Sequence, residues 1–189
     1  TIAWNYRYQS GGSMLHPHLQ LVAGSVPSSM LDRMVAGSAA YLERHGTSYW
    51  DDLLAAERAD GSRWVAAFGP VHVLATYAPK IHSDVMFVFE GCTTFADLTA
   101  EHIDGLARAV RLVASYYDRQ HYPAFNFVLY SAPAGTTGFA VHARMIPRFL
   151  IPPFQISDTN FFQILLGDGW SMTTPEDLAD ALRMVNQEL

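Results

Sequence analysis

The 189-residue sequence has a single cysteine, Cys92, and few charges. One thiol excludes an internal disulfide framework and any metal site built only from cysteine pairs of this chain. Charged residues make up 16% of the sequence, and 12 Lys and Arg stand against 18 Asp and Glu, for a net charge of −6. This acidic balance opposes a broad electrostatic grip on nucleic acid or anionic lipid, so we expect neither as a partner.

Long apolar runs are also missing. The sequence has no stretch of about eighteen apolar residues and no basic segment followed by an apolar one. We therefore expect neither a membrane span nor a signal peptide, and a soluble protein of the reducing cytoplasm. Half of the residues are nevertheless apolar, which is unlike a disordered chain and predicts one well-filled core.

Apolar periodicity and turn residues predict an α+β fold, a meandering antiparallel sheet with packed helices. The segments with strand character are residues 1–8, 15–23, 63–68, 71–77, 85–89, 125–130 and 138–147. Helical spacing covers residues 27–45, 49–58 and 98–119, and a last helix runs from 175 to about 187. Thr99 and Thr174 are the predicted N-caps, and Asp60-Gly61 is predicted to form a hairpin turn.

The segment GGSMLHPHLQ, from Gly11 to Gln20, carries the residues best suited to chemistry. On a strand, His16, His18 and Gln20 would point to one face. The backbone N–H groups of Gly11 and Gly12, with the Ser13 hydroxyl, could then hold phosphate oxygens. Histidine is a suitable nucleophile because its pKa of about 6.5 leaves much of it neutral near pH 7. Together these groups meet the needs of nucleotidyl transfer.

Other interpretations of the same residues remain open. Two histidines separated by one residue are also typical of a metal pair, and strand histidines are often only structural. Arg144 and Arg148 share a predicted strand face and could bind a phosphate, although exposed strand arginines are common.

The Gly11–Gln20 segment, with Asn5 upstream of it, resembles the active-site segment of galactose-1-phosphate uridylyltransferase and its relatives. This family belongs to the histidine triad superfamily and includes ADP-glucose phosphorylases and dinucleoside polyphosphate phosphorylases. Weaker similarity extends over nearly the whole chain, through Ser131-Ala132-Pro133 and the strand with His142 to the Thr174-Pro175-Glu176 helix start. The resemblance implies a histidine-triad-like antiparallel sheet.

The resemblance also implies roles for individual residues. His18 matches the family's nucleophile, which attacks the α-phosphorus of a nucleotide substrate. Gln20 matches the glutamine that donates to the nucleotidyl phosphate, and Ser13 and Asn5 match residues near the same phosphates. His16 matches a fourth ligand of a structural zinc in several members, whose other ligands come from an upstream half-domain. His16 is thus expected to hold zinc or to orient the catalytic ring of His18.

Departures from the family pattern affect metal binding and sugar specificity. Some members have a second metal site, built from a glutamate and three histidines. The matching positions here are Leu31, Ser131, His142 and Arg144. Only His142 retains a metal-binding side chain, so we expect that site to be absent. The acidic residue that contacts the hexose is replaced by Gln163 or Ile164, depending on one gap. Gln163 is thus a candidate sugar-binding residue, and the resemblance does not extend to the family's acidic contact with the hexose.

The resemblance therefore implies that residues 1–25 are the active-site strand of a first, mostly absent half-domain. Residues 26–60 would form a helical connector, and residues 61–189 a second, histidine-triad-like half-domain. The expected function is transfer of a nucleotidyl group between a nucleoside diphosphate sugar or dinucleotide and a sugar 1-phosphate or phosphate, through nucleotidyl-His18. The relatives imply a homodimer. A non-catalytic nucleotide-binding domain and a metal-dependent hydrolase centred on His16 and His18 are the alternatives.

Overall fold

A computed structural model describes residues 1–13 and 16–189. Within these residues, seven strands form one antiparallel sheet in the order β2-β1-β6-β7-β5-β4-β3. They are β1 (Ile2–Tyr6), β2 (Gln20–Leu21), β3 (Trp64–Phe68), β4 (Val71–Ala75), β5 (Val85–Phe89), β6 (Ala124–Tyr130) and β7 (His142–Arg148). A separate hairpin pairs β8 (Leu150–Ile151) with β9 (Ile156–Ser157). The predicted α+β class with an antiparallel sheet is confirmed.

Four α-helices in the described part of the chain cover the sheet. They are α1 (Ser29–His45), α2 (Tyr49–Asp60), α3 (Ala100–Arg119) and α4 (Pro175–Gln187). Thr99 caps α3 by accepting from the His102 N–H, and Thr174 caps α4 by accepting from the Asp177 N–H, as predicted. Such caps satisfy N–H groups that have no partner inside the helix. No described helix has the length and apolar character needed to cross a bilayer.

The two faces of the sheet have different partners, because paired residues on adjacent antiparallel strands project to the same side. On one side, Phe87, Phe127 and Met145 form the main core with Leu112 of α3 and Leu182 of α4. The opposite side is covered by α1 and α2 over β4 and β5. A smaller core there joins the helices to those two strands through Leu31, Trp50, Leu54, Leu74 and Val88.

Beyond α1 and α2, this second face carries the polar side chains of Asn5, Asn126 and Arg144 among apolar ones, and we call it the polar face. Gln20, Ala3, Val128 and Arg144 are successive partners across β2, β1, β6 and β7, and they therefore share that face. The predicted division at residues 25 and 60 stays a prediction, and β1 is hydrogen-bonded to β6 within the same sheet.

Two local predictions are wrong. Residues 15–23 were expected to form one strand, yet only Gln20–Leu21 pairs, at the sheet edge, while Leu15 lies outside the described residues. Pro17 has no N–H to donate to a ladder, which explains why pairing begins after it. Gly61 does not turn a hairpin; at φ 75° it ends α2, and its N–H donates to the Glu57 carbonyl.

Candidate functional site

The glycine loop is folded tightly against the end of β1. A short 3-10 turn (Tyr8–Ser10) precedes Gly11, whose φ of 90° is in the left-handed region that favours glycine. A Cβ on Gly12 would lie 2.8 Å from the Arg7 carbonyl oxygen and 2.9 Å from that of Asn5. Since real Cβ atoms do not approach backbone oxygens so closely, only glycine fits at position 12 without a shift of the loop.

The expectation of free backbone donors at both glycines is wrong. The Gly11 N–H donates to the Tyr8 carbonyl at 2.9 Å, and the Gly12 N–H donates to the Arg7 carbonyl at 3.1 Å. These bonds shape the loop, so the two N–H groups do not form an anion nest. Ser13 follows with an exposed side chain, which leaves its hydroxyl accessible to a phosphate.

Asn5 is held by a residue that the sequence did not single out. The Asn126 amide of β6 donates to the Asn5 side-chain oxygen at 2.7 Å and to the Ser10 carbonyl at 2.9 Å. Asn126 thereby ties β1 to the glycine loop. A polar residue between Phe125 and Phe127 was a signal that this position does not belong to the apolar core.

Arg148 extends this network to the C-terminal segment. Its Nη1 donates to the Asn126 side-chain oxygen at 3.0 Å, and its Nε and Nη2 donate to the Asp158 carboxylate at 2.8 and 3.0 Å. Asp158 is 3% exposed, so this is a buried two-point ion pair that fixes the guanidinium. Arg148 has a structural task in this position, and a direct role in phosphate binding is not needed to explain it.

His18 is half-buried, and its Nδ1 lies 3.1 Å from the backbone carbonyl oxygen of His16. A carbonyl oxygen only accepts hydrogen bonds, so Nδ1 must carry the proton in this contact. In the neutral ring Nε2 then holds the free lone pair. The rings of His16 and His18 lie 5.2 Å apart, at an angle of 41°, and His16 is exposed.

Gln20 is exposed on the edge strand, at the end of the row that leads to Arg144. Its side chain shares the polar sheet face with Asn5, because Asn5 lies two residues beyond its partner Ala3 on β1. The predicted common face of His16, His18 and Gln20 rested on a strand, and His16 and His18 are not in one. The structure therefore places Asn5 and Gln20 on one sheet face, with the histidines in the segment leading into β2.

Gln163 lies in a different part of the chain, within a π-helical turn (Phe162–Leu166). Its Oε1 accepts from the Asn160 N–H at 3.0 Å, a contact inside the same segment, and its buried Nε2 has no partner among the described residues. The role of Gln163 in sugar binding stays a prediction.

The side chains at the four positions of the second metal site make other contacts. Leu31 is in the core, and the Ser131 hydroxyl accepts from the Phe95 N–H at 3.1 Å. His142 is 1% exposed and stacks on Trp50, with ring centroids 4.2 Å apart. Burial lowers the pKa of His142 to about 4. Within residues 1–13 and 16–189, no three His, Cys, Asp or Glu side chains are grouped to hold a metal ion.

The same test applies to the structural zinc. His16 would supply one ligand, and the described part of the chain has no group of further zinc ligands beside it. This chain alone does not fit a zinc site at His16.

Arg144 forms an ion pair with Asp84, whose side chain is fully buried. Burial raises the pKa of the Asp84 carboxyl, against the Arg144 charge and the hydrogen bonds from Lys80 and Thr76, which lower it. Arg144 and Asn126 both line a cavity of about 110 Å³ on the polar face. The sequence did not indicate Asp84, because its importance depends on a partner 60 residues away.

Comparison with known proteins shows the same fold. The chain aligns with a galactose-1-phosphate uridylyltransferase-like protein from Arabidopsis thaliana with a TM-score of 0.79 and 18% identity, over 96% of this chain and 59% of that one. An ADP-glucose phosphorylase from the same plant, solved with bound ADP-glucose, gives a TM-score of 0.76 and 17% identity over 96% of this chain and 57% of that one. A uridylyltransferase mutant gives a TM-score of 0.85 and 18% identity over 99% of this chain and 62% of that one.

At the level of sequence, an uncharacterized protein from Archaeoglobus fulgidus is 26% identical. The alignment covers 100% of this chain and 57% of that protein. No protein-family model matches. The chain therefore spans 57% to 62% of the length of these proteins. The resemblance suggested by the Gly11–Gln20 segment is confirmed as a likeness of fold.

Proposed function

We propose that this chain is the part of a nucleotidyltransferase or phosphorylase that carries the nucleophile, His18. The observation that carries the proposal is the contact of His18 Nδ1 with the His16 carbonyl, which leaves Nε2 as the basic nitrogen. A nucleophile of this kind needs both a free lone pair and a fixed ring direction. The shared fold with an ADP-glucose phosphorylase and a uridylyltransferase supports the same class of reaction.

In the proposed first step, His18 Nε2 attacks the α-phosphorus of a nucleoside diphosphate sugar. A nitrogen–phosphorus bond forms, and the bond to the bridging oxygen breaks, so that sugar 1-phosphate leaves with the electron pair. In the second step, an oxygen of a phosphate or another sugar 1-phosphate attacks the same phosphorus, and His18 leaves. Each step is a displacement at one phosphorus atom, and no oxidant or reductant is needed.

The neighbouring residues would stabilise charge on the phosphates. Gln20 would donate its amide N–H to a non-bridging oxygen of the transferred group, where negative charge develops. The exposed Ser13 hydroxyl would donate to the departing phosphate. Asn5 has its side-chain oxygen committed to Asn126, so its amide N–H2 is directed by that bond and would be its donor to phosphate.

The finer assignments belong to the same proposal. A nucleotide sugar is the favoured substrate class, because one solved structure of this fold holds ADP-glucose. We further propose that residues 1–25 belong to a first half-domain and that the whole protein is a homodimer. No step of the mechanism passes through a metal ion.

The test is covalent labelling of the full-length protein. It is incubated with nucleoside diphosphate glucose and galactose compounds that carry ³²P at the α-position, and acid-labile, base-stable label is measured. The wild-type protein should be labelled, and His18→Asn should not. His121→Asn is the matched control, because His121 is exposed with a φ of 58°, which asparagine tolerates. Label that persists in His18→Asn would contradict the assignment.

The second candidate is a nucleotide-binding domain without turnover. It is favoured by the glycine loop, whose Gly11 and Gly12 N–H groups are already bound to backbone carbonyls and so offer little to a leaving phosphate. This function predicts binding of a nucleoside diphosphate sugar by calorimetry, with no exchange of labelled sugar 1-phosphate into it. Measurable exchange in the wild-type protein would reject this alternative.

A further inference from the structure

A cavity of about 460 Å³ lies between α1, α2 and the sheet. We call it the α1–α2 cavity. Its walls include Met34 and Gly37 of α1, Trp50 and Leu53 of α2, and Met86 of β5. These residues are separate from His16, His18 and Gln20, to which the nucleotidyl-transfer proposal assigns the chemistry. The cavity is large enough for a small organic ligand, since such sites typically measure about 300–1,000 Å³.

Aromatic rings form one side of the α1–α2 cavity. Tyr41 and Tyr49 meet edge to face with centroids 5.5 Å apart, and Tyr49 meets Trp50 at 5.4 Å. His142, which stacks on Trp50, also lines it. Such walls favour a flat ring as the occupant, because aromatic groups gain from stacked and edge-to-face contacts.

One buried acceptor in this wall lacks a partner. The Glu57 side chain is 5% exposed, and its Oε1 accepts from Arg63 Nε at 3.0 Å and Nη2 at 2.9 Å. Its Oε2 is buried and has no hydrogen-bond partner among the described residues. An unpaired buried carboxylate oxygen is costly, so it requires a donor. A ligand N–H would supply one.

The cavity also carries positive charge near solvent. Arg33 and Lys80 line it, and both residues are exposed. Neither forms a salt bridge within the described residues, whereas Arg144, which also lines the cavity, is paired with Asp84. An anionic group on the ligand would therefore find unneutralised cations at the open side of the cavity, while its ring lies inside.

We propose that the α1–α2 cavity is a second ligand site, which binds an anionic heteroaromatic compound whose ring donates an N–H to Glu57 Oε2. The ring packs against Tyr41, Tyr49 and Trp50. The anion lies near Lys80 and Arg33. A nucleoside monophosphate has this chemistry, with a donor-bearing base at one end and a phosphate at the other. The proposal does not depend on catalysis at His18.

Gly37 provides a test that preserves the fold. It lies within α1 and lines the cavity, and a Cβ built on it would meet no atom within 4 Å. Gly37→Leu should fill the space, and Gly37→Ala is the matched control, since both replace a helical glycine by a better helix former. Both variants should therefore remain folded, with a melting temperature at or above that of the wild type.

Binding is measured by titration calorimetry with GMP, AMP, UMP and CMP separately, on the full-length protein and on a His18→Asn background. At least one nucleotide should bind with a Kd below 1 mM. Gly37→Leu should abolish that binding component, while Gly37→Ala should keep it. Glu57→Gln, which replaces the acceptor and retains Oε1 for Arg63, should weaken it about tenfold, the effect of one hydrogen bond.

Three results would overturn the proposal. They are no binding of any of the four nucleotides below 1 mM, equal binding by Gly37→Leu and Gly37→Ala, and binding that Glu57→Gln leaves unchanged. Binding by His18→Asn that matches the wild type supports the second site even if the covalent labelling test fails, so the two proposals are judged separately.

Discussion

Acid should destabilise this protein through His142, which lies on β7 beneath Trp50 of α2. The ring is 1% exposed, stacks on Trp50 at 4.2 Å and on Tyr130 at 5.1 Å, and bonds through Nδ1 to the Ala140 carbonyl at 2.9 Å. Burial lowers the pKa of His142 to about 4 in the folded protein. In the unfolded chain the pKa of histidine is about 6.5.

The sign of the effect follows from these two values. Between pH 6.5 and 4 the unfolded chain binds the proton and the folded protein does not, so stability falls as the pH falls through this window. A single histidine with these pKa values lowers the free energy of unfolding by about 2 kcal/mol between pH 7 and pH 5, and by about 3 kcal/mol by pH 4.

The assay compares the wild type with His142→Phe by urea unfolding, followed by tryptophan fluorescence at pH 7, 6 and 5. Phenylalanine keeps a flat ring in the stack and removes the titrating nitrogen. Burial also lowers the pKa of His72 and His82, and both remain in the variant, so the difference between the two proteins isolates His142. Equal losses of stability in the two proteins from pH 7 to pH 5 would refute the reasoning.

Three further substitutions test a close approach of helix and strand, the glycine loop and a buried ion pair. Gly105→Ala places a Cβ 2.3 Å from the Phe68 carbonyl oxygen and should cost about 1–3 kcal/mol in thermal unfolding; a raised melting temperature would contradict it. Gly12→Ala should move the glycine loop and lower the rate of covalent labelling at least tenfold. The control is Gly24→Ala, whose Cβ would meet only the Val26 carbonyl oxygen at 3.9 Å and which should leave that rate unchanged. Asp84→Ala leaves a mostly buried arginine without its partner and should cost about 3–5 kcal/mol in urea unfolding; a loss below 1 kcal/mol would show that solvent replaces the pair.

Much of the fold followed from local signals. The caps at Thr99 and Thr174 and the apolar run of β5 led to element bounds that match the structure within about two residues. Capping depends on residues three apart, and an unbroken apolar run indicates a strand covered on both faces. The prediction failed at residues 15–23, where alternation suggested a long strand but the edge position and Pro17 left only two paired residues.

The candidate site was only partly accessible from the sequence. The glycines, the histidines and Gln20 were identified because their spacing is local. Asn126 was not, because its role depends on Asn5, which is 121 positions away in the chain. Glu57 was missed for a similar reason: its free oxygen is noticeable only once Arg63 has taken the other and α2 is packed on the sheet.

The sequence by itself determined all four α-helices, most strands of the main sheet and the residues that carry candidate chemistry, because caps, periodicity and motif spacing act over a few residues. Only the tertiary structure decided that β1 lies beside β6, that Asn126 ties Asn5 to the glycine loop, and that α1 and α2 enclose a cavity with an unpaired carboxylate oxygen. Each of these depends on contacts between distant parts of the chain. Such contacts are set by how the elements pack together, which no local pattern specifies.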